Sequence, residues 1–121
     1  MVASHGEGFG LTYSESLAVG TPVIALSWGG QLDFLNAENS YLVPPAGLED
    51  TISEDGEKVK WAAIDIAALS ERLRYVFENS AEAKHRAALA QRDVVRDWTW
   101  DNAGRLAARA LMDLNLQKNA A

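Results

Sequence analysis

Glu7 and Glu15 stand eight residues apart, with Gly8-Phe9-Gly10-Leu11 between them. A carboxylate accepts hydrogen bonds and donates none, so both side chains suit a hydroxylated ligand. The glycines let the main chain approach such a ligand closely, with no Cβ in the way. A helix is expected to open at Leu11. Its leading N–H groups have no intrahelical partner and carry the positive end of the helix dipole, which suits an anion. Glu15, about one turn into that helix, projects back toward its N-terminus. A second local reading stays open, because Thr12-Tyr13-Ser14-Glu15 also fits a capping box in which Glu15 satisfies a backbone N–H.

Neighbouring residues extend or limit this chemistry. His5 precedes the turn and is a secondary candidate for contact with an anion or a hydroxyl. Gly29-Gly30 breaks the chain again near the same sheet edge and is a further candidate. Ser4 and His5 do not make a nucleophile–base pair, since sequence neighbours do not face each other and no G-x-S-x-G is present. The dinucleotide fingerprint G-x-G-x-x-G fails as well, because Leu11 stands where its last glycine would be.

The elements that must position these residues follow an alternating order. Met1–Ser4 reads as the tail of a strand, and a helix over 11–19 ends at Gly20 as a C′ residue. Pro22–Leu26 is a short apolar run suited to a strand buried on both faces. Gln31–Asn36 reads as a short helix, and Tyr41–Val43 as a strand stopped by Pro44-Pro45. This order predicts an α/β fold: a partial Rossmann-like sheet of about three parallel strands with flanking helices and right-handed crossovers. Residues 45–60 hold five acids without EF-hand spacing and read as a solvated loop rather than a metal site. Asp65 is expected to cap a helix with Ile66, Leu69, Leu73, Val76 and Phe77 on its inner face. Ser80 is expected to cap the next, with Ala83, Ala87, Ala90 and Val94 inward and Arg86, Arg92 and Arg96 toward solvent. Thr99 would cap the last, whose stripe is Ala103, Leu106, Ala107, Ala110, Leu111 and Leu114. Trp28, Trp61, Trp98 and Trp100 read as core or interface packing rather than stacking platforms.

With 121 residues, the chain has room for one domain at most. The segments 1–44 (the site-bearing β/α part), 45–60 (the acidic loop) and 61–121 (the C-terminal helices) are read as parts of it. A net charge of −6, from 11 basic against 17 acidic residues, argues against nucleic acid and against anionic membrane as partners. Without cysteine there is neither a disulfide framework nor a thiolate metal site. No apolar run approaches the roughly 20 residues that span a bilayer, and no secretory signal opens the sequence, so a cytoplasmic location is expected.

Glu7 to Ala25 resembles, almost position by position, the donor-site pattern E-G-F-G-L-x-x-x-E followed by G-x-P-V-I-A. That pattern belongs to the family 4 retaining glycosyltransferases of the GT-B type, the glycosyl transferases group 1. The likeness continues through Gly29-Gly30 and Asn39-Ser40-Tyr41-Leu42-Val43, and covers most of the chain. It implies a nucleoside-diphosphate sugar as donor and transfer of a hexose with retention, with no metal requirement. Glu7 would be the catalytic carboxylate at the transferred sugar. Gly8, Phe9, Gly10 and Leu11 would cradle the diphosphate, and Glu15 would hold the ribose. It also implies that this is a C-terminal piece, whose N-terminal domain and catalytic Arg and Lys come from upstream. The open strand edges and the last helix, lacking that domain, point to a homo-oligomer. The alternative is a noncatalytic nucleotide-binding or interaction module of the same fold. A histidine-centred epimerase and a phosphorylase are weaker rivals. The latter needs a pyridoxal lysine, and Lys58, Lys60, Lys84 and Lys118 all lie away from the glycine turn.

Overall fold

The computed structural model describes residues 4–119, so most of the expected first strand, Met1–Ala3, lies outside the described residues. Helix α1 spans Leu11–Ala18 and ends as its sequence dictates. Gly20 takes φ +73°. Its N–H donates to Leu17 O at 2.9 Å, and Thr21 N donates to Ser16 O at 2.9 Å. Those two bonds form a Schellman motif, which only a residue tolerant of left-handed backbone closes cheaply.

Strand β1 (Ile24–Leu26) pairs in parallel with β2 (Tyr41–Val43), Ile24 opposite Tyr41. A 3₁₀ turn at Gly30–Asp33 takes the place of the short helix expected over Gln31–Asn36. Two of the three expected parallel strands are described, the first lying for the most part outside the described residues. The β1 segment is buried on both faces, and its alternation divides the interior. Val23 and Ala25 join Tyr13, Leu17, Phe34, Leu35, Ala90 and Val94 in one cluster. Ile24 and Leu26 join Tyr41, Val43, Ala62, Leu69 and Ala83 in another. Each fully buried aliphatic side chain here is worth about 1.5–3 kcal/mol.

Residues 45–60 are not a loop. β3 (Gly47–Ile52) and β4 (Lys58–Ala63) form an antiparallel hairpin, registered from Gly47 opposite Ala63 to Ile52 opposite Lys58. The acids crowd its exposed face and its turn, where Ser53 N donates to Glu57 O and Gly56 takes φ +85°. Polar composition hides a strand whose face is solvated. Asp50 pairs across the ladder with Lys60 at 2.7 Å.

Asp65 caps α2 (Ile66–Glu78), accepting from Ala68 N at 3.0 Å. The stripe expected on α2 is mostly uncovered: Leu69 is buried, whereas Ile66 and Phe77 are 68% and 86% exposed. Helix α3 (Ser80–Asp97) begins one residue after Asn79, which takes the N-cap position expected of Ser80. Ala83, Ala87, Ala90 and Val94 turn inward as their spacing requires, their small size letting α1 lie close. Arg86 does not point to solvent. It donates to Ser40 O at 3.2 Å and lies over the Tyr41 ring at 4.6 Å. Thr99 Oγ1 caps α4 (Trp100–Asn119) by accepting from Asn102 N at 3.2 Å. Its expected stripe is bare, with Leu106 and Leu111 more than 60% exposed, and Trp100 is 90% exposed, so it packs in no core of this chain. No described helix is long and apolar enough to cross a membrane.

Candidate functional site

Gly10 is the N-cap of α1 and is buried, with φ +90°. A Cβ there would lie 2.7 Å from Cδ2 of Tyr13, so both backbone conformation and space demand glycine. Its carbonyl accepts from Tyr13 N and Ser14 N at 3.0 and 3.2 Å. No side chain caps the helix.

This geometry also decides the capping-box question. Thr12 lies inside the helix, not at its N-cap, and Ser14 and Ser16 turn their hydroxyls back to Leu11 O and Thr12 O. Glu15 is exposed on the helix surface, and among the described residues its carboxylate makes no hydrogen bond or ion pair. The box does not form.

Glu7 is half-buried ahead of the turn. Burial, and next the charge of Glu7, push the Tyr13 hydroxyl above the usual tyrosine value, against a lowering hydrogen bond from the Ser4 backbone. The carbonyl of Glu7 accepts from Gly30 N at 2.9 Å. A Cβ on Gly30 would lie 1.7 Å from Gly8 O. The two glycine turns, 6–10 and 29–30, therefore touch backbone to backbone, which places Gly29 and Gly30 beside Glu7 and Gly8.

His5 is held elsewhere. Its Nδ1 lies 2.9 Å from Ala62 O, its own carbonyl accepts from Ala62 N at 3.0 Å, and its ring stacks on Trp61 with centroids 5.0 Å apart. The carbonyl can only accept, so Nδ1 carries the hydrogen in that contact. His5 fastens the segment before the turn to β4.

Beside Glu15 lies a groove of about 910 Å³. Leu11, Ser14, Glu15 and Ala18 form one wall; Phe9, Trp98, Trp100 and Leu106 line much of the rest. Phe9, Phe34 and Trp98 pack as a trio with centroids 5.3–5.6 Å apart. Glu7, Gly8 and Gly10 do not line the groove, so of the expected site residues Phe9, Leu11 and Glu15 line it, while Glu7 and Gly8 lie where the two turns meet. Among the described residues no group of three or more His, Asp or Glu could hold a metal ion.

Sequence reasoning missed Gln31. It is fully buried, and its Nε2 donates to Leu26 O at 3.1 Å and to Trp28 O at 2.5 Å. A glutamine directly after Gly29-Gly30, where a buried position was to be filled, is the signal that could have found it.

Residues 1–106 match the family described as family 4 glycosyltransferase in conflict systems, and the chain belongs to that family. It is 26% identical over 112 residues to the glycogen synthases of two Mycobacterium tuberculosis strains, CDC 1551/Oshkosh and H37Rv. That alignment covers 93% of this chain but 23% of each synthase, so the chain spans about a quarter of the length of these curated relatives. A glycosyltransferase-related function and a short parallel sheet with flanking helices are thereby supported together.

Proposed function

We propose that this chain carries the donor half of a GT-B glycosyltransferase site and binds a nucleoside-diphosphate sugar. The diphosphate lies on the Gly8–Leu11 turn at the start of α1, where leading N–H groups and the helix dipole favour an anion. Glu15 accepts from the ribose hydroxyls, and Glu7 faces the transferred sugar. The full reaction is transfer of a hexose to an acceptor with retention, and the charge that develops on the leaving phosphate is met by the turn amides together with cations from outside this chain. One observation carries the reading: α1 opens on a bare glycine N-cap while Glu15, four residues in from Leu11, has an unpartnered carboxylate. Membership of a family 4 glycosyltransferase family supports a nucleotide-sugar donor.

Calorimetric titration of UDP, GDP and ADP against the chain tests this. Each hydrogen bond to a charged group contributes about 1.5–3 kcal/mol, so Glu15→Gln should weaken the best-bound nucleotide about tenfold or more. Equal affinity in a variant of intact fold would sink the ribose role of Glu15. Binding without any transfer once an N-terminal domain is supplied would favour the noncatalytic module instead.

A further inference from the structure

Gln31 touches both glycine turns. A Cβ on Gly10 would stand 3.0 Å from Gln31 Cβ, and a Cβ on Gly29 would stand 2.7 Å from Gln31 Oε1 and 3.3 Å from Glu7 N. The carboxamide thus sits under the place where the segment carrying Glu7 meets the bend after β1. Its Nε2 spends its two hydrogens on Leu26 O and Trp28 O, either side of Ser27 on the approach to that bend. Gly30, next in sequence, then donates to Glu7 O, with Gly8 O pressed against its α-carbon. A leucine would fill the same interior volume without burying polar atoms. Glutamine is instead buried with Oε1 lacking any partner among the described residues, an arrangement that is costly unless the amide has a task.

We propose that Gln31 is the positioning residue of the donor turn. Its two N–H bonds fix the 28–30 bend, and that bend fixes Glu7 and Gly8 through the Gly30–Glu7 hydrogen bond and the Gly30–Gly8 contact. The buried Oε1 lies against Gly29, within the same contact that brings Gly29 to the Glu7 backbone. The role of the turn itself rests on the donor reading above, whereas the coupling between the two turns is tested without any ligand.

The experiment is amide hydrogen exchange by NMR on the whole chain, read as protection factors at Glu7, Gly8 and Gly30. Wild type is compared with Gln31→Met, which keeps the volume and loses the amide. Leu69→Ala, in the other cluster, serves as a control for lost stability. Gln31→Met should lower Gly30 protection at least tenfold beyond its change in global unfolding and weaken nucleoside-diphosphate binding, while Leu69→Ala should lower protection only in step with global unfolding. If Gly30 exchange in Gln31→Met follows global stability as it does in Leu69→Ala, the positioning role is wrong.

Gln31→Glu gives a second readout, independent of whether the methionine variant folds. A buried carboxyl is biased toward its neutral form, and a protonated acid can donate to one of the two carbonyls. Gly30 protection should approach wild type at pH 5 and fall at pH 8, where the ionised group repels both. A protection factor with the same pH dependence as wild type overturns the proposal. Wild-type chain that fails to bind UDP, GDP and ADP, yet shows these exchange effects, would remove the donor reading and leave the coupling of the turns standing.

Discussion

Glu82, in the first turn of α3, accepts one hydrogen bond from α2 and one from within its own helix. Tyr75 Oη donates to it at 2.8 Å, and Arg86 Nε donates at 2.8 Å while also reaching the carbonyls of Ala37 and Ser40. The Tyr75 bond is the chief reason its carboxyl sits below the usual glutamate range, with Arg86 adding to it against some desolvation. A folded-state pKa that is depressed contributes stability above the unfolded value and loses it as pH falls through the folded one. This contribution is therefore present at neutral pH and disappears as pH drops below about 4. Tyr75→Phe should flatten the fall in urea midpoint between pH 5 and pH 3 relative to wild type. Superimposable pH curves for the two proteins would show that the Tyr75 bond does not hold the carboxyl down. Arg86 also shows what spacing leaves unread. It flanks the Ala83–Ala87–Ala90 stripe, so helical periodicity gives its face but not the reach of a long side chain back to the 37–40 carbonyls.

Elements were legible where their chemistry is local. Asp65 and Thr99 as caps, Gly20 as the C′ residue and Tyr41–Val43 as a strand each depend on residues within a few positions, and each is found. The hairpin at 47–63 and the exposure of the helix stripes depend on distant partners, which composition does not report. The glycine turn was legible from its spacing, whereas Gln31 was not, because its partners are backbone carbonyls that any sequence supplies. Helix α4 is the sharpest case: no described residue of it is buried. A lone helix of its length is marginal in water. Removing residues 104–121 should therefore move the thermal midpoint by less than about 4 °C, the equivalent of about 1 kcal/mol in a domain of this size. A larger drop in scanning calorimetry would mean that the face is covered in solution.

At the scale of the molecule, charge and extent set what the chain does alone. Net charge is −6, and among the described residues no ion pair or hydrogen bond brings a Lys or Arg side chain to Glu7–Leu11. Positioned electrostatics are usually the largest catalytic contribution, and under the donor reading proposed above a departing diphosphate would need cations beyond those at this turn. The purified chain should give no sugar transfer from UDP-, GDP- or ADP-sugars to any acceptor, measured by product mass. Product from this chain, free of host enzymes, would show that the turn amides suffice.

The α1–α3 packing fixes an order of assembly. β1 and β2 pair between residues 24 and 41, and the hairpin closes between 52 and 58, so both enclose short loops. The bond from Gln91 Nε2 to Ala18 O spans 73 positions, and Leu17 shares its cluster with Ala90 and Val94. Closing that long loop is entropically dearer and slower than forming the local pairs. On a ribosome the glycine turn is among the first parts of this sequence to be made and among the last to gain its support. Until α3 has been synthesised, the cluster of Tyr13 and Leu17 with Val23, Ala25, Phe34 and Leu35 lacks Ala90 and Val94, the two residues that close it.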